Sequence, residues 1–136
     1  MKNSLTIILF LITFITYSQD VKTITVQVSN VSNSNGVVSF TLHTKETFMK
    51  SEPVQTESSK IKEGIAKIIF NNVKPGEYAI IVLHDENENN RMDFEQNGMP
   101  KEAYGLSNNP MSFGPPQYQD AKFIVSDKDL ELSIRF

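Results

Sequence analysis

The sequence predicts an all-β protein, an antiparallel β-sandwich of six to seven short strands with one long ordered loop. Three observations carry this. Apolar residues recur with a period of two over most of the chain, as they do when strand side chains alternate between two faces. Turn dipeptides, Asn35-Gly36 and Pro75-Gly76 among them, separate the alternating runs. A helix-like pattern is confined to residues 45–50, one or two turns at most. Short strands at this spacing build a sandwich.

Ile24, Val26 and Val28 alternate with Thr23, Thr25 and Gln27, and Val38, Phe40 and Leu42 alternate with Ser39, Thr41 and His43. Asn33-Ser34-Asn35-Gly36 between these runs is the Asn-Gly signal of a hairpin. On this phase His43 is exposed. Ala66, Ile68 and Phe70 form the next run, and Lys74-Pro75-Gly76-Glu77 after it suits a type II turn. Residues 78–83 are continuously apolar, which predicts a central strand covered on both faces. Phe123 and Val125, then Leu130, Leu132, Ile134 and Phe136, alternate again, with Asp127-Lys128 as the turn. The expected core is Ile68, Phe70, Tyr78, Ile80, Val82, Phe123 and Ile134. Residues 51–59 are polar and read as a solvated loop. Residues 85–120 hold four of the six prolines and no convincing strand. So long a loop in a compact domain is normally functional or separately stabilised, here by Phe94, Tyr104, Phe113 and Tyr118 or by a bound ion.

The N-terminus predicts export. A short basic Met1-Lys2-Asn3 precedes an almost wholly apolar run over 5–17, then Ser18. This is the pattern of a cleaved signal peptide covering 1–18, with 19–136 as one mature domain. The run is shorter than the roughly 20 residues a spanning helix needs, so no membrane anchor is expected in the mature chain. A periplasmic or extracellular location follows. The chain has no Cys, so it uses neither disulfides nor thiol chemistry. A net charge of −3 without a Lys/Arg cluster argues against nucleic acid as partner.

Four segments carry a resemblance: Lys74-Pro75-Gly76-Glu77-Tyr78-Ala79, His84-Asp85-Glu86-Asn87, Gly98-Met99-Pro100-Lys101-Glu102, and Tyr104-Gly105-Leu106-Ser107-Asn108-Asn109. In this order they resemble the bacterial exported family catalogued as domain of unknown function 2141, over roughly residues 23–136. The resemblance implies a sandwich of transthyretin-like or immunoglobulin-like type and no defined activity. Family loops often run N-x-N-G. Here Asn90 stands in the Gly place, and Asn tolerates the left-handed conformation.

The stretch 84–93 carries the most chemistry. Counting Asp85 as position 1, Asn87 stands at 3, Asn89 at 5, Arg91 at 7 and Asp93 at 9. A calcium loop of EF-hand type takes side-chain oxygens at 1, 3 and 5 and a backbone carbonyl at 7. Asp85, Asn87, Asn89, the Arg91 carbonyl and Asp93 are therefore the candidate calcium ligands. Position 12, where a bidentate Glu normally stands, is Gln96. Glu95 and Glu102 are near but out of register, and Glu86 and Glu88 are out of phase and face water. With so few charges the expected Kd is about 10⁻⁴–10⁻³ M. The competing reading is a metal-free turn in which Asp and Asn side chains bond their own backbone. Zinc has a poor donor set here, one His and no Cys.

An enzyme is not expected. His84 and Asp85 are strand neighbours and point to opposite faces. Ser107 lacks the flanking glycines of a nucleophile elbow. The alternative function is a carbohydrate- or peptide-binding module in which Tyr104, Asn108, Asn109, Phe113 and Tyr118 supply aromatic faces and amides. The alternative to that is aromatics that cover the loop's own backbone.

Overall fold

In the computed structural model, residue 18 and residues 20–136 are described. The leader expected at 1–18 falls, but for Ser18, outside the described residues. The alternating pattern becomes burial from the first strand onward. β1 (Lys22–Val28) buries Ile24, Val26 and Val28, and β2 (Val37–His43) buries Val38, Phe40 and Leu42. β3 (Gln55–Ser59) is polar, whereas β4 (Ala66–Val73) buries Ala66, Ile68, Phe70 and Val73. β5 (Gly76–Asp85) is the longest strand; β6 (Tyr104–Leu106), one helical turn α1 (Tyr118–Ala121), β7 (Phe123–Val125) and β8 (Leu130–Ile134) follow.

Two sheets face each other. One has the order β4-β1-β8, the other β3-β2-β5-β6, with β7 also pairing with β5. Their inner faces share one core, in which Phe70 and Ile24 from the first sheet meet Phe40, Ile80 and Val82 from the second. Of the expected core residues, six are buried, while Phe123 is half-buried against the cluster. Full burial of such side chains contributes roughly 1.5–3 kcal/mol each, so this interface fixes the strand phase. The sandwich is all-β as the alternation predicts, and its pairs are antiparallel except β1–β8, which is parallel.

β5 is covered on both faces, which explains its continuous apolar run. Tyr78, Ile80 and Val82 face the main core. Ala79 joins a second cluster with Phe48, Leu106 and Ala121, against which Ile81 and Tyr118 pack.

Several local expectations change. β1 and β2 are no hairpin, because they lie in different sheets. The same holds for β4–β5 and β7–β8. The Asn-Gly, Pro-Gly and Asp-Lys turns reverse the chain but carry it across the sandwich. Gly76 has a φ of 158°, not the value near +80° of a type II turn. Residues 55–59 form edge strand β3 beside β2, because backbone pairing does not require apolar side chains. The 85–120 segment contains β6, three residues too short to show a period. Residues 45–50 form hydrogen-bonded turns that stop before becoming a helix, and among the described residues the one helical turn is at 118–121.

Candidate functional site

β5 ends on Asp85, whose side chain is fully buried. Its Oδ1 accepts the Asn89 N–H at 3.1 Å and its Oδ2 the Asn90 N–H at 2.8 Å. Asp85 therefore folds the loop back on itself. The backbone before β2 packs against the same point. Gly36 has a φ of 64°, and a Cβ there would lie 2.0 Å from the Asp85 carbonyl oxygen, so only glycine permits the approach.

The next two oxygen-bearing side chains turn toward Asp93. Asn87 Nδ2 donates to Asp93 Oδ2 at 2.7 Å, and Asn89 Nδ2 donates to both Asp93 oxygens, at 3.0 and 2.9 Å. Their own carbonyl oxygens accept turn N–H groups: Asn87 Oδ1 from Asn89, and Asn89 Oδ1 from Arg91. Arg91 thus joins the network through its backbone N–H. The amides of Asn87, first, and of Asn89 hold the Asp93 carboxyl below its usual 3.8. Asn90, in the position where family loops often carry Gly, has a φ of 61°, and Glu88 one of 55°. Glu86 and Glu88 are exposed.

Glu102, which sequence spacing left out of register, closes this loop. It is 7% exposed. Its Oε1 accepts the Glu86 N–H at 3.0 Å and its Oε2 the Asp93 N–H at 3.2 Å. A small two-stranded finger explains how it arrives. Lys101 N–H bonds Asp93 O and Glu95 N–H bonds Met99 O, with Asn97-Gly98 at the tip. The finger carries Glu95 and Gln96 into solvent and returns the chain at 102. Among the described residues, no three His, Cys, Asp or Glu side chains are grouped to hold a metal ion. The loop's oxygens engage N–H donors.

Of the residues of the alternative binding site, Tyr104 and Asn109 line one cleft, and Asn108, Phe113 and Tyr118 are not among the residues lining it. Tyr118 packs edge-on against Phe48, at 5.7 Å and 67°, and donates to Glu77 Oε1. Burial, then Glu77, pushes its hydroxyl up to about 12. Asn108 donates to the carbonyls of Asp120 and Lys122. Asn109 donates to Ser133 O and accepts from Arg135 N–H. Ser107 accepts the Ile80 N–H and donates to Ala121 O. In Gly105 a Cβ would lie 2.4 Å from Arg135 O. The Tyr-Gly-Leu-Ser-Asn-Asn segment is thus a latch tying β6 to β5, to α1 and to the end of β8. Tyr104 and Asn109 line a cleft of about 490 Å³ with Leu106, Met111, Arg135 and Phe136, while Phe113 stands fully exposed.

Both histidines are buried. His84 Nε2 donates to Asn35 O at 2.8 Å, and the ring stacks on Phe136; Nδ1 has no hydrogen-bond partner. His43, expected on the surface, is 6% exposed beside Thr47 and Phe48. The 45–50 turns fold Phe48 over it, which the period of two could not show. Burial holds its pKa below the usual 6.5, against the opposing pull of Thr47.

No helix among the described residues is long and apolar enough to cross a membrane. No curated protein matches the chain. Among solved structures, a pilus-presented adhesin, Spy0125 (Cpa), is similar at 12% identity and a TM-score of 0.30, over 85% of this chain and 27% of that one. The model of a family described as uncharacterized protein conserved in bacteria (DUF2141) matches residues 26–133. The latch, the Pro-Gly link before β5 and the carboxylate-closed loop all lie within that span, and the chain belongs to this family.

Proposed function

We propose that this chain is an exported, non-catalytic β-sandwich module whose 85–102 loop is ordered by weakly bound calcium. The observation that supports it is the convergence of Asn87 and Asn89 on Asp93, with Asp85 at the root of the turn and Glu102 closing it. A half-turn of either amide exchanges its N–H donor for an oxygen acceptor, and the calcium ion must then offset the loss of the turn N–H bond which that oxygen now accepts. Both amide oxygens would then join the Asp93 carboxylate, and a hard cation would replace the N–H groups that now neutralise it. Asp85 and Glu102 already accept two backbone N–H groups each, and a carboxylate oxygen has lone pairs for a further partner. The apolar run at 5–17 supports export, and the burial of His43 and His84 supports a non-catalytic role.

The test is thermal melting with and without calcium. A ligand that binds only the folded state adds about 1.4 kcal/mol at ten times its Kd. The melting temperature should rise at about 10 mM calcium, roughly ten times the weakest Kd expected. It should rise less with magnesium, which dehydrates reluctantly. Asp93→Ala should abolish the rise and Glu88→Ala should keep it. An unchanged wild-type melting temperature reduces the site to a hydrogen-bonded turn.

A further inference from the structure

β8 stands at the edge of its sheet, with β1 as its one strand neighbour. An unpaired edge is a template for another strand. Here that edge is not left bare. Asn109 Nδ2 donates to Ser133 O at 2.9 Å, and Asn109 Oδ1 accepts the Arg135 N–H at 2.8 Å. One side-chain amide therefore occupies two backbone groups, the C=O of one residue and the N–H two residues on, that an added strand would otherwise bond. The plug is held in place by the anchoring of its neighbour, Asn108. Asn108 and Asn109 are consecutive left-handed residues, at φ 67° and 48°. Asn108 is anchored to the carbonyls of Asp120 and Lys122. Strain of this kind persists only where its surroundings enforce it.

We infer that β8 is a self-complementary docking edge kept closed by Asn109, and that its occupant once Asn109 is withdrawn is β8 of a second copy of this chain. The argument for that occupant is charge. Glu131, Ser133 and Arg135 alternate with the inward Leu130, Leu132 and Ile134, and all three are exposed. An antiparallel pair centred on Ser133 sets Glu131 of each copy opposite Arg135 of the other, on the same face. Opposite charges directly across a ladder stabilise it, and like charges oppose it. Among the described residues Arg135 makes no ion pair within one copy, so it is available for this contact.

The experiment is sedimentation velocity over a concentration series, with the chain purified without residues 1–18. Asn109→Ala should self-associate about tenfold or more tightly than wild type, because two competing intramolecular hydrogen bonds are gone. Asn108→Ala, which leaves the plug's own bonds, should stay closer to wild type. Adding Glu131→Arg to Asn109→Ala should return the monomer, and adding Arg135→Glu to that pair should restore the dimer. If Asn109→Ala does not fold, Asn109→Asp decides by the same criteria, since it keeps the acceptor for Arg135 and loses the donor for Ser133. A monomeric Asn109→Ala whose Arg135 amide exchanges freely with deuterium would overturn the inference. So would a dimer indifferent to the charge reversal.

Discussion

Replacing Glu102 by Gln is the most informative single change. The carboxylate accepts the N–H groups of Glu86 and Asp93 at 3.0 and 3.2 Å, one at each end of the loop. Hydrogen bonds to a charged group contribute about 1.5–3 kcal/mol each. Gln keeps one acceptor, now uncharged, and turns an NH₂ toward the other backbone N–H. Two donors then face each other in a site where the side chain is 7% exposed. The expected loss is about 2–3 kcal/mol, one charge-assisted bond plus the weakening of the other. Urea unfolding should show a lower midpoint with an unchanged slope, because the surface exposed on unfolding is the same. Amide resonances of Glu86 and Asp93 should move more than those of the β-sheet core. Gln96→Ala serves as the control, since that side chain sits on the solvent-exposed finger. A Glu102→Gln loss within about 0.5 kcal/mol, the range of an ordinary surface change, would refute Glu102 as the clasp.

Ile80→Ala, in the fully buried centre of β5, should cost about 2–5 kcal/mol, read from the urea midpoint. Gly105→Ala should cost about 1–3 kcal/mol through overpacking, because its Cβ meets Arg135 O at 2.4 Å and Ile134 Cγ2 at 2.9 Å; an undisturbed midpoint would mean that β6 and β8 are not in close contact. His43 is held below its usual 6.5 by burial, so the unfolded chain takes the proton more readily. Its contribution to stability is therefore full above about pH 6.5 and is lost as pH falls through the lower, folded value. Unfolding midpoints measured from pH 8 to pH 5 should fall, and His43→Gln should flatten that fall.

The fold class was legible because strand burial has a period of two, and residues such as Ile24, Val26 and Val28 repeat it without interruption. Strand partners were less legible. A turn signal such as Asn35-Gly36 reports that the chain reverses, not whether the next strand pairs with the last or crosses to the facing sheet. β3 is not legible in the sequence because Gln55 to Ser59 are polar; the strand exists through its ladder to β2. At the site, Asp85, Asn87, Asn89 and Asp93 were legible because they lie close together in sequence. Glu102 was not, because the finger between Asp93 and Lys101 alters the register that a continuous loop would have. The partners of Asn108 and Asn109, at Asp120, Lys122, Ser133 and Arg135, are too distant in sequence for spacing to reveal.

Isothermal titration of calcium into chelator-treated residues 19–136 tests the central claim most directly. The account predicts saturable binding of one calcium ion with a Kd of about 10⁻⁴–10⁻³ M, weaker binding of magnesium, and loss of the calcium signal in Asp93→Ala. No calcium binding across that range, with an intact fold, would contradict it.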